Sequence, residues 1–245
     1  MQRYFLTNEQ VQGDHVVLTG QDAHHIKNVM RFRVGDELIV CAPRLGCKRC
    51  KIETLEQGSV IAQPIDTVPS NELPIRVDLA QALIRRERFE YVLQKATELG
   101  VSSIIPVDMV YNVVKWDDKK ADTKLIRWNT ITKEASEQSH RSMSVEVTDV
   151  VKLTRIPFAE YDLVLMADET EAGDESLPNV LLPTLQNILI VIGPEGGFHP
   201  TERSYLSQVS NVRRVGLGKR ILRSETASSY LLSVLSYVYE LGGTV

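Results

Sequence analysis

This 245-residue sequence is informative first for what it lacks. No apolar run approaches the ~18–20 residues that a membrane-spanning helix needs, so no membrane partner is expected. The start, Met1-Gln2-Arg3-Tyr4-Phe5-Leu6, is without the basic, apolar and small-residue regions of a secretory signal, and the protein reads as cytoplasmic. Cysteine is scarce and odd in number: Cys41, Cys47 and Cys50. Such a set argues against a disulfide framework. Cys47-Lys48-Arg49-Cys50 has the spacing of a zinc half-site, with Cys41 and His24 or His25 as further candidate ligands, but no second CxxC or HxxxH follows it. Nor does the pair open a helix after a strand, as redox motifs do. It is expected to be a Cys pair in a hairpin, with no metal. An excess of positive charge is missing too: 28 Lys and Arg face 32 Asp and Glu, a formal charge of −4. Nucleic-acid domains often carry the opposite balance. Finally, there is no Gly-x-Gly-x-x-Gly fingerprint and no Gly-Lys-Ser/Thr, which excludes the common dinucleotide and P-loop sites.

The positive charge that is present is clustered. From His24 to Lys51 seven basic residues face two acids, and from Arg213 to Arg223 there are five basic residues and no acid. Either cluster by itself reads as a solvated face.

The chain changes character near residue 73. Before it, Val16–Leu18, Glu37–Val40 and Val60–Ala62 are short β-branched runs punctuated by glycines, with one short helix over Asp22–Met30 whose Ile26, Val29 and Met30 share a face. Asp66–Pro74, with two prolines and little periodicity, reads as a linker. After it, strands and helices alternate. Strands are predicted at Ile75–Ala80, Val101–Val107, Asp162–Ala167, Asn187–Ile192 and Val212–Leu217. Helices are predicted at Arg85–Leu99, Asp122–Ser139, Pro200–Leu206 and from a Ser224 cap to Leu241, the last burying Ala227, Tyr230, Leu231, Val234, Leu235, Val238 and Leu241. The expectation is a small β-rich domain at residues 1–72 and an α/β domain with a mostly parallel sheet at 73–245.

Ligands of open parallel sheets bind at the carboxyl ends of the strands. Two loops lie there with unusual composition: Ile192-Gly193-Pro194-Glu195-Gly196-Gly197-Phe198, and Leu217-Gly218-Lys219-Arg220-Ile221-Leu222-Arg223-Ser224-Glu225-Thr226. The glycines of the first let main-chain N–H groups approach a ligand closely. Together the loops suit a flat, weakly charged group such as an adenine ring.

These two loops resemble the signature pair of the 16S rRNA (uracil-N3) methyltransferase family within the SPOUT superfamily. The similarity runs through most of the chain. It includes Lys95–Val101 with Ile105-Pro106, Glu134–Arg141, His24-His25 with Val29, Arg31, Gly35 and Asp36, and Met1–Phe5. The sequence departs from the family at Asp108–Asn112 and at His140–Ser144, and Cys47 and Cys50 belong to no family motif.

The resemblance implies a SPOUT fold, whose last strands and helix form a deep trefoil knot, preceded by a PUA-like RNA-binding domain. It implies S-adenosyl-L-methionine as methyl donor, held by Ile192, Gly193, Pro194, Glu195, Gly196 and Gly197 of the first loop and by Leu217, Gly218, Ile221 and Leu222 of the second. It further implies a homodimer acting on 16S rRNA in the 30S subunit. Glu225 is the first candidate for taking the uracil proton, with Arg220 and Arg223 stabilising charge on the uracil oxygens. Glu195 is a second acid, for a subunit contact or for positioning the loop. Arg3, His25, Arg31 and Arg33 are the expected RNA contacts. The alternatives are ribose 2′-O-methylation by another SPOUT enzyme, and a non-catalytic RNA-binding assembly factor.

Overall fold

The computed structural model describes residues 1–168 and 177–243. The chain divides into two compact units: Met1–Glu72 with Ser136–Ser144, and Leu73–Ala135 with Val145–Val245. The segment Ser136–Ser144 thus joins the first unit, which the expected boundaries did not include.

The first unit contains β1 (Arg3–Phe5), β2 (Val11–Gln12), β3 (His15–Thr19), α1 (Gly20–His24), β4 (Glu37–Ala42), β5 (Gly46–Glu56) and β6 (Ser59–Thr67). They form one sheet in the order β1-β4-β5-β6-β3-β2, parallel only between β1 and β4. Alternation on β4 sends Leu38 and Val40 inward, where Tyr4, Val16, Leu18, Ile52 and Val60 close a core. The short helix differs from expectation. After α1 the chain widens into a π-type turn over His25–Val29, the Met30 N–H reaching the His25 carbonyl at 2.9 Å. The extra residue per turn rotates the face, so Ala23 and Ile26 are buried while Val29 and Met30 are 61% and 39% exposed.

The cysteines also differ from expectation. β5, not foreseen as a strand, pairs antiparallel with β4, and this register sets Cys41 opposite Cys47. Their sulfurs form a disulfide. Cys50, three residues on, faces the other side of the strand and is fully buried as a free thiol. The CxxC spacing therefore points its two sulfurs apart.

Glu72 ties Ser136–Ser144 into this unit. Its carboxylate accepts from the Arg141 Nε at 2.8 Å and from the Ser142 N–H at 2.6 Å.

The second unit contains β7 (Arg76–Ala82), α2 (Arg86–Glu98), β8 (Ser103–Asp108), α3 (Ala121–Gln138), β9 (Glu146–Val147), β10 (Val151–Lys152), β11 (Leu163–Ala167), α4 (Leu177–Val180), β12 (Asn187–Ile192), α5 (Pro200–Leu206), β13 (Val212–Val215) and α6 (Ser224–Tyr239). Its sheet runs β10-β8-β7-β12-β11-β13, with β9 beside β8, and every pairing is parallel among the described residues. The central strands are apolar throughout because both faces are covered. Ile188, Ile190 and Ile192 meet the helices α2 and α6, while Leu189 and Val191 meet Phe198 and Leu206 on the opposite face. Gly100 ends α2 with φ +94°, as a left-handed C′ residue does.

The last elements position the site. β13 lies outside β11, and the chain then returns past the ends of β11 and β12 to lay α6 against β12 and α2. α6 buries Ala227, Leu231 and Leu235, but Tyr230 and Leu241, expected inside, are 42% and 72% exposed. Ser224 does not cap the helix; Arg223 holds the N-cap position, and Ser224 turns its hydroxyl inward.

Candidate active site

Ala167 and Ile192 end β11 and β12 and Gly216 follows the end of β13, and these residues, Asp168 and the loops after β12 and β13 line a cavity of about 260 Å³. That is close to the lower end of the ~300–1,000 Å³ of small-molecule pockets. The expected residues Ile192, Gly193, Pro194, Glu195, Gly197, Leu217, Gly218, Ile221 and Leu222 all line it, as do Arg220 and Arg223. Glycine at 193 spares a tight contact: a Cβ there would lie 3.1 Å from the ring of the buried Phe198. Gly196 is the exception among the expected residues. It is outside the cavity, where a Cβ would come within 3.1 Å of the Tyr111 Cβ, so it serves loop packing. Gly218 holds φ +98°, a backbone that other residues rarely adopt.

Two buried polar groups missed in the sequence hold these loops. Gln81, at the end of β7, is wholly buried; its Nε2 donates to Ser224 Oγ at 2.8 Å, and Ser224 Oγ donates to the Gly193 carbonyl at 2.8 Å. Ser228 Oγ donates to Gln81 Oε1 at 2.6 Å. One amide thereby joins β7, α6 and the first loop. Asp168, 3% exposed, accepts a forked pair of hydrogen bonds from Arg203 at 2.7 and 3.2 Å and lies 3.3 Å from Arg214 Nη2. Arg203 also donates to the Phe198 carbonyl at 2.5 Å, which anchors the far end of the loop. For Asp168, a polar residue just past a buried strand was the available signal.

Glu225 needs correction. It does not line the cavity, because the first turn of α6 aims it at α2. There Arg88 Nε lies 3.6 Å from Glu225 Oε1, while Arg88 Nη1 donates to Glu195 Oε1 at 3.3 Å. Glu225 Oε2 is buried without a hydrogen-bond partner. Arg88, absent from the sequence reading, is thus shared between an acid in the cavity wall and one behind it. Part of the second basic cluster is used internally: Arg214 faces Asp168, and Arg213 donates to the carbonyls of Ser210 and Val212. Lys219, Arg220 and Arg223 remain exposed at the mouth, beside Ile221, which is 82% exposed.

Of the expected RNA contacts, Arg3 is corrected. It is 2% exposed, and its guanidinium donates to the Arg141 carbonyl and lies 3.8 Å from the Cys47 sulfur. It closes the first unit from inside, so it offers no charge to solvent. His25 is half-buried, with Nδ1 3.0 Å from the hydroxyl of the buried Tyr4. Arg31, at φ +56°, and Arg33 are exposed on the turn that Asp36 fixes by accepting the Arg33 N–H at 2.7 Å.

A parallel sheet with a glycine-lined cavity at its carboxyl end, preceded by a β-rich unit carrying exposed arginines, is the architecture of an RNA methyltransferase. Family profiles agree: one described as an RNA methyltransferase domain matches residues 71–236, and one described as an RNA methyltransferase PUA domain matches residues 18–45. The ribosomal RNA small subunit methyltransferase E of Bacillus subtilis is 39% identical over 252 residues, 98% of each chain. Among solved structures, that of the same enzyme from Neisseria gonorrhoeae, bound to S-adenosyl methionine, aligns with TM-score 0.81 and 28% identity over 98% of both chains. A Legionella pneumophila methyltransferase in complex with the same molecule aligns with TM-score 0.80 and 29% identity, over 96% of this chain and 97% of the other. The chain belongs to the ribosomal RNA small subunit methyltransferase E family, and its fold is of the SPOUT class with a PUA-like unit.

Proposed function

We propose that the protein transfers a methyl group from S-adenosyl-L-methionine to N3 of a uridine in 16S rRNA of the 30S subunit, in the cytoplasm and as a homodimer. The observation that carries this reading is the cavity itself, where glycine backbone from two loops meets at the ends of three strands, with basic side chains at the mouth. The residues fit the donor. Main-chain groups of Gly193, Gly197 and Gly218 can approach an adenine edge, and the side chains of Ile192, Leu217 and Leu222 offer apolar contact. When bound, the donor supplies an electrophilic methyl on a sulfonium.

The chain's own residues have two tasks. The first is orientation: reactants held in line gain ~7–11 kcal/mol over a bimolecular encounter. Gln81 and Arg203 fix the two ends of the first loop for this purpose. The second concerns the proton on uracil N3, which lies on the Watson–Crick edge, so the base must be unpaired or flipped out. Two carboxylates line the cavity: Asp168 is held by Arg203 and Arg214, and Glu195, in the first loop, takes this proton. Glu225 acts from behind, through Arg88, as a positioning residue. Arg220 and Arg223 face the charge that develops on the uracil oxygens. Arg31 and Arg33 contact RNA phosphates.

The homodimer is supported by exposed apolar surface. Tyr230 and Tyr237 fall on one stripe of α6 at i and i+7, Leu241 follows just beyond the helix end, and the three are 42%, 51% and 72% exposed. No helix among the described residues is long and apolar enough to cross a membrane.

The test is transfer of labelled methyl to 30S subunits and to naked 16S rRNA that lack the modification, followed by nucleoside analysis. Label in 3-methyluridine is expected. Label in a 2′-O-methylated nucleoside, or binding of the donor without transfer to either RNA, would overturn the reading. Glu195→Gln should reduce turnover at least tenfold with donor affinity intact, whereas an unchanged rate would remove Glu195 from the proton transfer.

A further inference from the structure

A second pocket, of about 300 Å³, lies on the other side of the first turn of α2. Both tryptophans of the chain line it. Trp128 is buried against Phe89, with ring centroids 4.7 Å apart, and Trp116 stacks on Trp128 at 5.7 Å with 29° between the planes. The rim is basic. Lys124 Nζ sits 4.5 Å from the centre of the Trp116 ring. Arg86 and Arg127 hold Glu90 at 2.8 and 2.6 Å, and Glu90 is the one acid lining the pocket among the described residues. The two guanidiniums, Arg127 foremost, lower the Glu90 carboxyl to about 2, so the cluster stays fully ionised with a net positive charge at neutral pH.

An aromatic wall with a flat opening and a surplus of cations is the chemistry that recognises an unstacked base with its phosphate. The position also counts. Arg88, two residues beyond Arg86, reaches the cavity of the first loop from the opposite side of the same helical turn. The two pockets are thus served by residues of one helical turn, on its opposite sides.

We propose that this pocket binds one unpaired base of single-stranded RNA flanking the methylated position, stacked against Trp116 in the place that the flexible Lys124 side chain takes over the ring in the free protein, with Lys124 swung out to its phosphate beside Arg127. The inference rests on RNA being the substrate, as proposed above. It adds a base-reading subsite that neither loop supplies.

Because both tryptophans are in the pocket, their fluorescence reports on it directly in the intact protein. The probe is a fluorescently labelled single-stranded hexauridylate, its binding followed by anisotropy while tryptophan emission is read in parallel. Saturating quenching that tracks the anisotropy is expected. Trp116→Ala should weaken binding roughly tenfold, within the range stacking provides, and Trp116→Phe should recover most of it. Lys124→Ala and Arg127→Ala, at exposed or half-exposed positions, should each lower the salt slope by about one unit. Calorimetric titration of S-adenosylmethionine into each variant should be unchanged, which establishes that the fold is intact. RNA that binds without altering tryptophan emission, or binds equally well to all four variants, overturns the subsite. Methyl transfer by the wild type, assayed separately, distinguishes this failure from failure of the proposed reaction. Emission that responds to a ribosomal protein and not to RNA would also overturn it.

Discussion

Two arginines with similar prospects in sequence end in opposite roles. Arg3 is folded inside the first unit against the Arg141 carbonyl, whereas Arg31 projects from a left-handed turn into solvent. Nothing in residue type separates them; their neighbours do. Cys50 makes a similar point. It was read with Cys47 as a pair, yet burial pushes its thiol up to about 12, while Cys47 is bonded to Cys41. Thiolate is the reactive form, and a thiol so raised is inert near neutral pH. The native protein should therefore take up no iodoacetamide at pH 8, one equivalent after denaturation, and three after denaturation and reduction. Mass spectrometry counts them. A native protein that labels at Cys50, or one that labels at all three sites when denatured without reductant, would contradict this arrangement.

At the scale of elements, the site depends on how three pieces of chain are joined. Gln81 ends β7, Ser224 begins α6, and Gly193 follows β12, and one buried chain of hydrogen bonds links them. Replacing Gln81 with Leu fills similar space but strips Ser224 and Ser228 of a partner. Each hydroxyl keeps one bond, Ser224 to the Gly193 carbonyl and Ser228 to the Ser224 carbonyl, so what is lost is two buried hydrogen bonds, about 0.5–1.5 kcal/mol each. Gln81→Leu should lower the unfolding free energy by about 1–3 kcal/mol and weaken S-adenosylmethionine binding, because Ser224, which still donates to the Gly193 carbonyl, is no longer held from β7. Calorimetry and urea melts check both; if neither moves, the network does not hold the loop. Most helices and the parallel strands were legible in the sequence because their apolar spacing is strict, as in Phe89, Val92, Leu93 and Ala96 of α2. β5 was not, since Gly46–Lys51 carries little apolar alternation and gains its strand form by pairing with β4 and β6. The cavity loops were legible from their glycines. Arg88 and Gln81 were not, because one lies in a charged helix start and the other among apolar strand residues, and only folding brings them to the loops.

For the molecule as a whole, the net charge of −4 gives little guidance to its partner. What matters is which cations remain uncommitted. Arg49 is spent on Glu37 and Asp66, and Arg214 on Asp168, while Arg31, Arg33, Arg220 and Arg223 stay exposed. Arg31→Ala should weaken RNA binding and reduce the dependence of log K on log salt by about one unit, measured by filter binding over a salt series. Arg3→Lys, by contrast, should leave that slope unchanged and lower stability. An unaltered slope for Arg31→Ala would make that residue structural. The sequence by itself determined the two-part organisation, the parallel sheet and the loops of the cavity, because periodicity and glycine placement are local properties of the chain. Only the tertiary structure decided that Glu225 faces Arg88 instead of the cavity, that Arg3 is sealed inside, and that Cys41 meets Cys47. Each depends on strand register and helix rotation, which bring together residues distant in sequence and are fixed only when the whole core packs.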